Sequence, residues 1–161
     1  MSKLESPRHD EFAAEVLRLA AGNVAQGGGP FACLVVKDGR VVAKGVNQVT
    51  PHKDPTAHAE VQAIRAACRA LDDFELRDCE IYTSCEPCPM CLGAIYWSRV
   101  KAVYYCATRA QAAAAGFDDS LIYDEAAKPL GARLIPFHRV GEATSNAPFE
   151  AWTKLADRTL Y

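Results

Sequence analysis

Between residues 10 and 25, apolar side chains recur at Phe12, Val16, Leu19 and Ala20, the three-and-four spacing of a helix with one buried face. "GGGP" at 27–30 closes that helix. "FACLVV" (31–36) and "VVAKGVNQV" (41–49) then read as strands joined by "KDGR", in which Asp38-Gly39 is a hairpin signal. The loop "TPHKDP" (50–55) leads to a second helical stripe, Val61, Ile64, Cys68 and Leu71, with Thr56 as its expected N-cap and Ala57 as its first residue. "CEIYTS" (79–84), "CPMCLGAIYWS" (88–98) and "KAVYYCA" (101–107) read strand, helix, strand, a parallel pair with its crossover. Short helices over 108–116 and 121–128 flank the turn "FDDS". A last strand is predicted at "ARLIPFHRV" (132–140), made edge-like by Pro136. Pro148 opens a final helix, with Phe149, Trp152 and Leu155 on one stripe. Five strands interleaved with helices predict one α/β domain over residues 1–161, a three-layer α/β/α fold around a five-stranded mixed sheet.

Composition narrows the function classes. The 161 residues suit one domain, which buries roughly 70% of the surface its unfolded chain exposes. A formal charge of −2 gives no basic field, which argues against a nucleic-acid partner. No stretch approaches the roughly 20 apolar residues of a membrane span. "MSKLESPRHDEF" lacks the apolar core of a signal peptide, so a cytoplasmic address is expected. Seven cysteines without an export signal point to free thiols or metal ligands rather than a disulfide framework. Cys33, Cys68, Cys79 and Cys106 lie in apolar or alternating segments and are expected to be buried and inert. Cys85, Cys88 and Cys91 differ, standing three residues apart with prolines between them.

His58-Ala59-Glu60 followed by Pro87-Cys88-Pro89-Met90-Cys91 is the H-x-E and P-C-x-x-C pattern of zinc deaminases acting on nucleobases. Catalytic zinc takes three protein ligands and keeps a fourth position open, which assigns Zn2+ to His58, Cys88 and Cys91. Two apart on a helix flank, His58 and Glu60 would diverge, so the helix must present its N-terminal end to the site. Pro87 sets the start of the next helix, whose free N–H groups and positive end favour thiolate. Cys85 is expected to pack beside the ligands. Bound, it would close a structural site, and a redox pair with Cys88 is the other alternative. Glu60 is cast as the proton carrier: hydroxide generated at the metal attacks an amidine-like ring carbon, Glu60 protonates a ring nitrogen, and ammonia leaves.

The segments "GGPF" (28–31), "GVNQV" (45–49), "DPTAHAE" (54–60), "SCEPCPMCLGAIYW" (84–97), "AGFDDS" (115–120) and "PFEAW" (148–152) carry a resemblance. From Gly27 to Tyr161 the chain resembles guanine deaminases of the cytidine-deaminase fold, found mainly in bacteria. That resemblance implies a cytidine-deaminase-like fold and hydrolysis of guanine to xanthine and ammonia, in purine catabolism or salvage. It implies a small-molecule purine base as partner, and a homodimer whose C-terminal segment, about 141–161, crosses to the other subunit. Asn47 would bond the purine's polar edge, Phe31 would stack near the base, and Ala57 and Trp97 would help bind it. Asp119 would act as a second acid or base by the leaving amino group, while Trp152 and Tyr161 would reach the neighbour's site. Without the resemblance, Asn47 can satisfy a turn or bulge, Phe31 can fill the core, and Asp118-Asp119 can form a turn and cap. Where the family continues "GGPFGA", this chain has Ala32 and Cys33, close to the implied pocket. Guanosine, tRNA adenosine and cytosine deamination remain rivals, with a non-catalytic zinc module as the rival of another class.

Overall fold

A computed structural model describes residues 7–161, and the chain divides after Asp119 into two units. In the first, α1 (Pro7–Ala25) buries Phe12, Val16 and Ala20 along the expected stripe. β1 (Ala32–Lys37) and β2 (Arg40–Val46) form a hairpin whose turn residues Asp38 and Gly39 have φ of 49° and 69°. Both are left-handed, the conformation a two-residue turn needs to match strand twist. β2 stops at Val46 rather than 49, because the Asn47 side chain accepts the Val49 N–H (3.3 Å) and turns the chain into the short helix α2 (Val49–His52).

The next elements are α3 (Ala59–Leu71), β3 (Cys79–Cys85), α4 (Pro89–Ser98), β4 (Ala102–Ala107) and α5 (Arg109–Ala114). The strands order β2-β1-β3-β4. β1 is antiparallel to both its neighbours, while β3 and β4 run parallel with α4 as their crossover. Alternation along β1 separates two cores. Cys33 and Val35 pack with α3 and with Ile95 of α4, whereas Ala32, Leu34 and Val36 pack with Phe12, Val16 and Ala20 of α1. Helices therefore cover opposite faces of the sheet.

How deeply α3 sits is set by one glycine. A Cβ on Gly45 would stand 2.2 Å from the Ala59 carbonyl oxygen and 2.5 Å from the Ala63 nitrogen. Buried Ala59, Ala63 and Ala67 complete this small-residue contact and bring the first turn of α3 down onto the sheet.

Ser120–Tyr161 form the second unit, with α6 (Ser120–Ala127), 3-10 turns at Leu130–Ala132 and Glu142–Thr144, and α7 (Ala147–Lys154). The strand expected at 132–140 is not formed, so the sheet of the described residues has four strands, not five. Pro136 removes a ladder donor from the middle of that segment, and adjacent Leu134 and Ile135 break the two-residue alternation a half-buried strand requires. No residue of this unit is buried. Among the described residues no helix is long and apolar enough to cross a membrane.

Candidate metal centre

Two helix beginnings meet over the carboxyl end of β3. The first was expected to be capped by Thr56, but Thr56 instead turns onto Asp54, whose Oδ1 accepts its N–H (2.8 Å) and hydroxyl (2.7 Å). His58 is then the N-cap of α3, with extended φ/ψ of −69° and 154°, and makes no side-chain cap. Its imidazole is left available, with Glu60 in the first turn beside it. α4 repeats the device. Cys88 is its N-cap with φ −68° and ψ 169°, Pro89 rather than Pro87 opens it, and Cys91 lies in its first turn.

His58 Nδ1 is 3.5 Å from both Cys88 Sγ and Cys91 Sγ, and the three ligand atoms lie within 4.8 Å of one another. Zinc bonds of about 2.0–2.1 Å to nitrogen and 2.3 Å to sulfur, at a tetrahedral angle, place such atoms about 3.6 Å apart. The donor set therefore has both the chemistry and the spacing of a three-ligand zinc site. Cys85 is outside it, its thiol directed to the Thr108 carbonyl oxygen at 3.8 Å. The structure thus gathers three ligands among the described residues, not the four of a closed site.

Charge follows from these contacts. The hydrogen bond from Cys91, with help from His58, pulls Cys88 down to about 4, so it is a thiolate. The same bond pushes Cys91 the other way, and burial adds to the effect. Cys88 raises His58 above its ordinary value. Metal loading must therefore displace the proton of Cys91.

Glu60 is 7% exposed, and burial raises its carboxyl above the usual range. One oxygen, Oε1, accepts from Thr83 Oγ1 at 3.2 Å, and Oε2 lies 3.2 Å from Cys91 Sγ. The carboxyl group thus stands beside the ligand set without belonging to it. Cys33 pairs in register with Thr83 on the same face, and its fully buried thiol is pushed well up by burial and by the Glu60 charge.

Asn47 is buried, and its Oδ1 accepts from the Gly29 and Val49 N–H groups. Ala57 is buried, with its carbonyl accepting the Gln48 N–H at 2.9 Å. Phe31 meets Phe117 edge-on at 4.9 Å between ring centres. Asp119 Oδ1 accepts from Arg109 Nε at 3.3 Å, and the Arg109 N–H donates to Glu86. Trp97 lies on α4 and is 64% exposed. Tyr161 is exposed in the second unit, edge-on to Trp152. Sequence reasoning passed over Thr83, Arg109 and Asn23. Thr83 alone carried a signal, because its two-residue offset from apolar Ile81 points it at α3.

Residues 6–107 match the family model described as the cytidine and deoxycytidylate deaminase zinc-binding region. Over 154 residues the chain is 53% identical to the guanine deaminase of Bacillus subtilis, spanning 95% of this chain and 99% of that one. An X-ray structure of guanine deaminase from Bacillus subtilis matches with a TM-score of 0.93 over 95% of this chain and 98% of the other. A guanine deaminase structure from Nitrosomonas europaea matches at 37% identity and TM-score 0.67, over 72% of this chain and 66% of that one. The tRNA-specific adenosine deaminase of Aquifex aeolicus is 42% identical, over 60% of this chain and 64% of its own length.

Proposed function

The chain belongs to the cytidine and deoxycytidylate deaminase family defined by its zinc-binding region, and on that premise we propose that it hydrolyses guanine to xanthine and ammonia. The observation that carries this reading is the placement of Glu60, an acid 3.2 Å from a zinc-ligand sulfur yet outside the ligand set. Likeness to guanine deaminases over nearly the whole chain selects the substrate, whereas the adenosine deaminase likeness covers 60% of it.

His58, Cys88 and Cys91 would hold the zinc. When bound, zinc supplies a Lewis acid that makes water nucleophilic near neutral pH. Glu60 accepts one proton of the attacking water and delivers it to the ring nitrogen beside the carbon that bears the amino group, then takes the remaining proton of the added hydroxyl as the carbonyl forms and passes it to the departing amine. Its buried position and raised pKa suit a group that must both take and give a proton. Thr83 fixes one carboxyl oxygen and leaves the other to work. Asp119, aimed by Arg109, serves as the second acid or base at the leaving group. Asn47 bonds the purine edge, Phe31 packs against the base, and Ala57 and Trp97 complete the substrate side.

The fold reads as three layers, α1 on one side of the sheet and α3 with α4 on the other. The partner macromolecule is a second copy of this chain. Leu92, Tyr96, Trp97 and Tyr105 are exposed along α4 and β4, beside a groove of about 430 Å³, and large apolar residues of 120–161 are exposed as well. Exchange of the C-terminal segment between subunits would cover such surface and bring Tyr161 to the neighbouring site. All seven cysteines are free, which suits the reducing cytoplasm.

An ammonia-release assay over guanine, guanosine, adenine, cytosine and cytidine tests the proposal. Guanine should be the preferred substrate. Release from adenosine-type or cytosine-type compounds alone would replace it with one of the rival deaminases.

A further inference from the structure

Asn23 lies in the last turn of α1, outside every motif of the sequence, and is 3% exposed. Its Nδ2 donates both hydrogens, to the carbonyl oxygens of Gly29 and Asn47, each at 2.8 Å. Its Oδ1 accepts from Gln48 Nε2 at 3.3 Å, and its backbone carbonyl accepts the N–H groups of Gln26 and Gly28, both at 3.1 Å. The glycine loop wraps this side chain closely. A Cβ on Gly28 would lie 2.3 Å from Asn23 Nδ2 and 2.5 Å from the Asn47 oxygen. One buried amide thus ties together the end of α1, the loop at 27–30 and the end of β2.

The consequence falls on Asn47. With its backbone and that of Gly29 fixed, the Gly29 N–H (3.4 Å) and the Val49 N–H (3.3 Å) converge on one end of its side chain. An amide nitrogen there would face two donors, so that end is the oxygen. Among the described residues the Nδ2 end has no hydrogen-bond partner. Every fully buried side-chain nitrogen or oxygen described has one, so Nδ2 opens onto accessible space. The Gln48 N–H to Ala57 carbonyl bond sets this amide next to the residue that precedes His58.

We propose that Asn23 is a positioning residue that locks Asn47 in a single amide orientation, making its contact with the base donor-only and selecting purines that present an acceptor there. The inference rests on the guanine reading. The 6-oxo group and N7 of guanine are both acceptors, whereas a 6-amino group would set donor against donor. A site built around a satisfied hydrogen bond rejects the analogue that cannot complete it.

The test uses the full-length, zinc-loaded enzyme, with guanine as substrate and 2,6-diaminopurine as competitor, since the two share the 2-amino group and the imidazole ring and differ in the 6-substituent and in the hydrogen on N1. Asn23→Ala should raise KM for guanine and shrink the preference over 2,6-diaminopurine, each by about tenfold, with kcat within about twofold. Zinc content and melting should show the variant folded, and calorimetry should give tighter 2,6-diaminopurine binding relative to guanine competition. Asn47→Asp provides a second arm if Asn23→Ala does not fold. It keeps an oxygen for the two backbone N–H groups and turns the base-facing donor into an acceptor, so the preference should invert. A folded, zinc-replete Asn23→Ala enzyme with the parent preference overturns the proposal, as does an Asn47→Asp enzyme that still favours guanine. Parent enzyme that releases no ammonia from guanine sinks the guanine reading instead.

Discussion

Thr83 on β3 and Glu60 on α3 are joined across the interface of strand and helix, with the Thr83 hydroxyl 3.2 Å from Glu60 Oε1. The same hydroxyl lies 3.4 Å from the Ala32 carbonyl oxygen, and Thr83 is 2% exposed. A strand thereby fixes the rotation of an acid that the helix delivers. Thr83→Val keeps the shape and removes the hydroxyl. Hydrogen bonds to charged groups are worth about 1.5–3 kcal/mol, so kcat should fall on the order of 10–100-fold. KM and zinc content should hold, and Thr83→Ser should recover most of the rate. A valine variant with the parent kcat would show that Glu60 needs no such anchor.

Glu60→Gln tests the proton carrier itself. The amide keeps the volume and can still accept from Thr83, but it cannot shuttle a proton. Zinc by elemental analysis should stay near one per chain while kcat drops about 10²–10⁴-fold. Near-parental turnover would move the acid–base role elsewhere.

The gathering of this cluster is legible in the sequence, and the reason is chemical. His58, Glu60, Cys88 and Cys91 are few, close in sequence, and of types that zinc chemistry requires. The hairpin was equally plain, because Asp38-Gly39 can adopt the left-handed turn directly. Long-range consequences were not legible. Thr56 has an ideal capping side chain, yet Asp54 captures it and the helix starts two residues later than expected. Asn23 reads as an ordinary polar residue near a helix end until the glycine loop closes around it. The segment at 132–140 is apolar enough for a strand, but apolar content without alternation or a donor at Pro136 does not build a ladder.

Metal removal should be felt by the fold as well as by the chemistry. His58 and Cys88 sit on helix caps and Cys91 in a first turn, so a zinc ion held by the three would pin α3 to α4. At free zinc a hundred times its dissociation constant, the ion stabilises the folded chain by about 2.7 kcal/mol. Chelation should therefore lower the melting temperature, and returning zinc should restore it. Cys91→Ser should lose both the metal and the response. A melting curve indifferent to chelator would argue against a site in these residues.

Gly45 controls how far the metal centre sinks onto the sheet. In Gly45→Ala the new carbon would meet backbone atoms of Ala59 and Ala63 at 2.2 and 2.5 Å, which no rotamer can relieve. Overpacking typically costs about 1–3 kcal/mol, and the upper end is expected where backbone itself must move. Urea unfolding of the zinc-loaded proteins measures it. An unchanged midpoint would mean that α3 can lift from β2 freely.

The C-terminal segment offers a complementation test of exchange between subunits. Phe149, Trp152, Leu155, Leu160 and Tyr161 are all exposed, more large apolar surface than a free tail keeps in water without a partner. The parent protein should sediment as a dimer, and deletion of residues 148–161 should weaken both dimerisation and activity. Mixing decides whether the segment acts in its own subunit or its neighbour's. The truncated chain retains Glu60 but lacks the segment, and the full-length Glu60→Gln chain carries the segment but lacks the acid. Each should be inactive alone. If the segment crosses, a mixed dimer assembles one complete site and deamination returns, rising with the fraction of mixed dimer. Mixed dimers that form yet stay inactive would place the segment over its own active site.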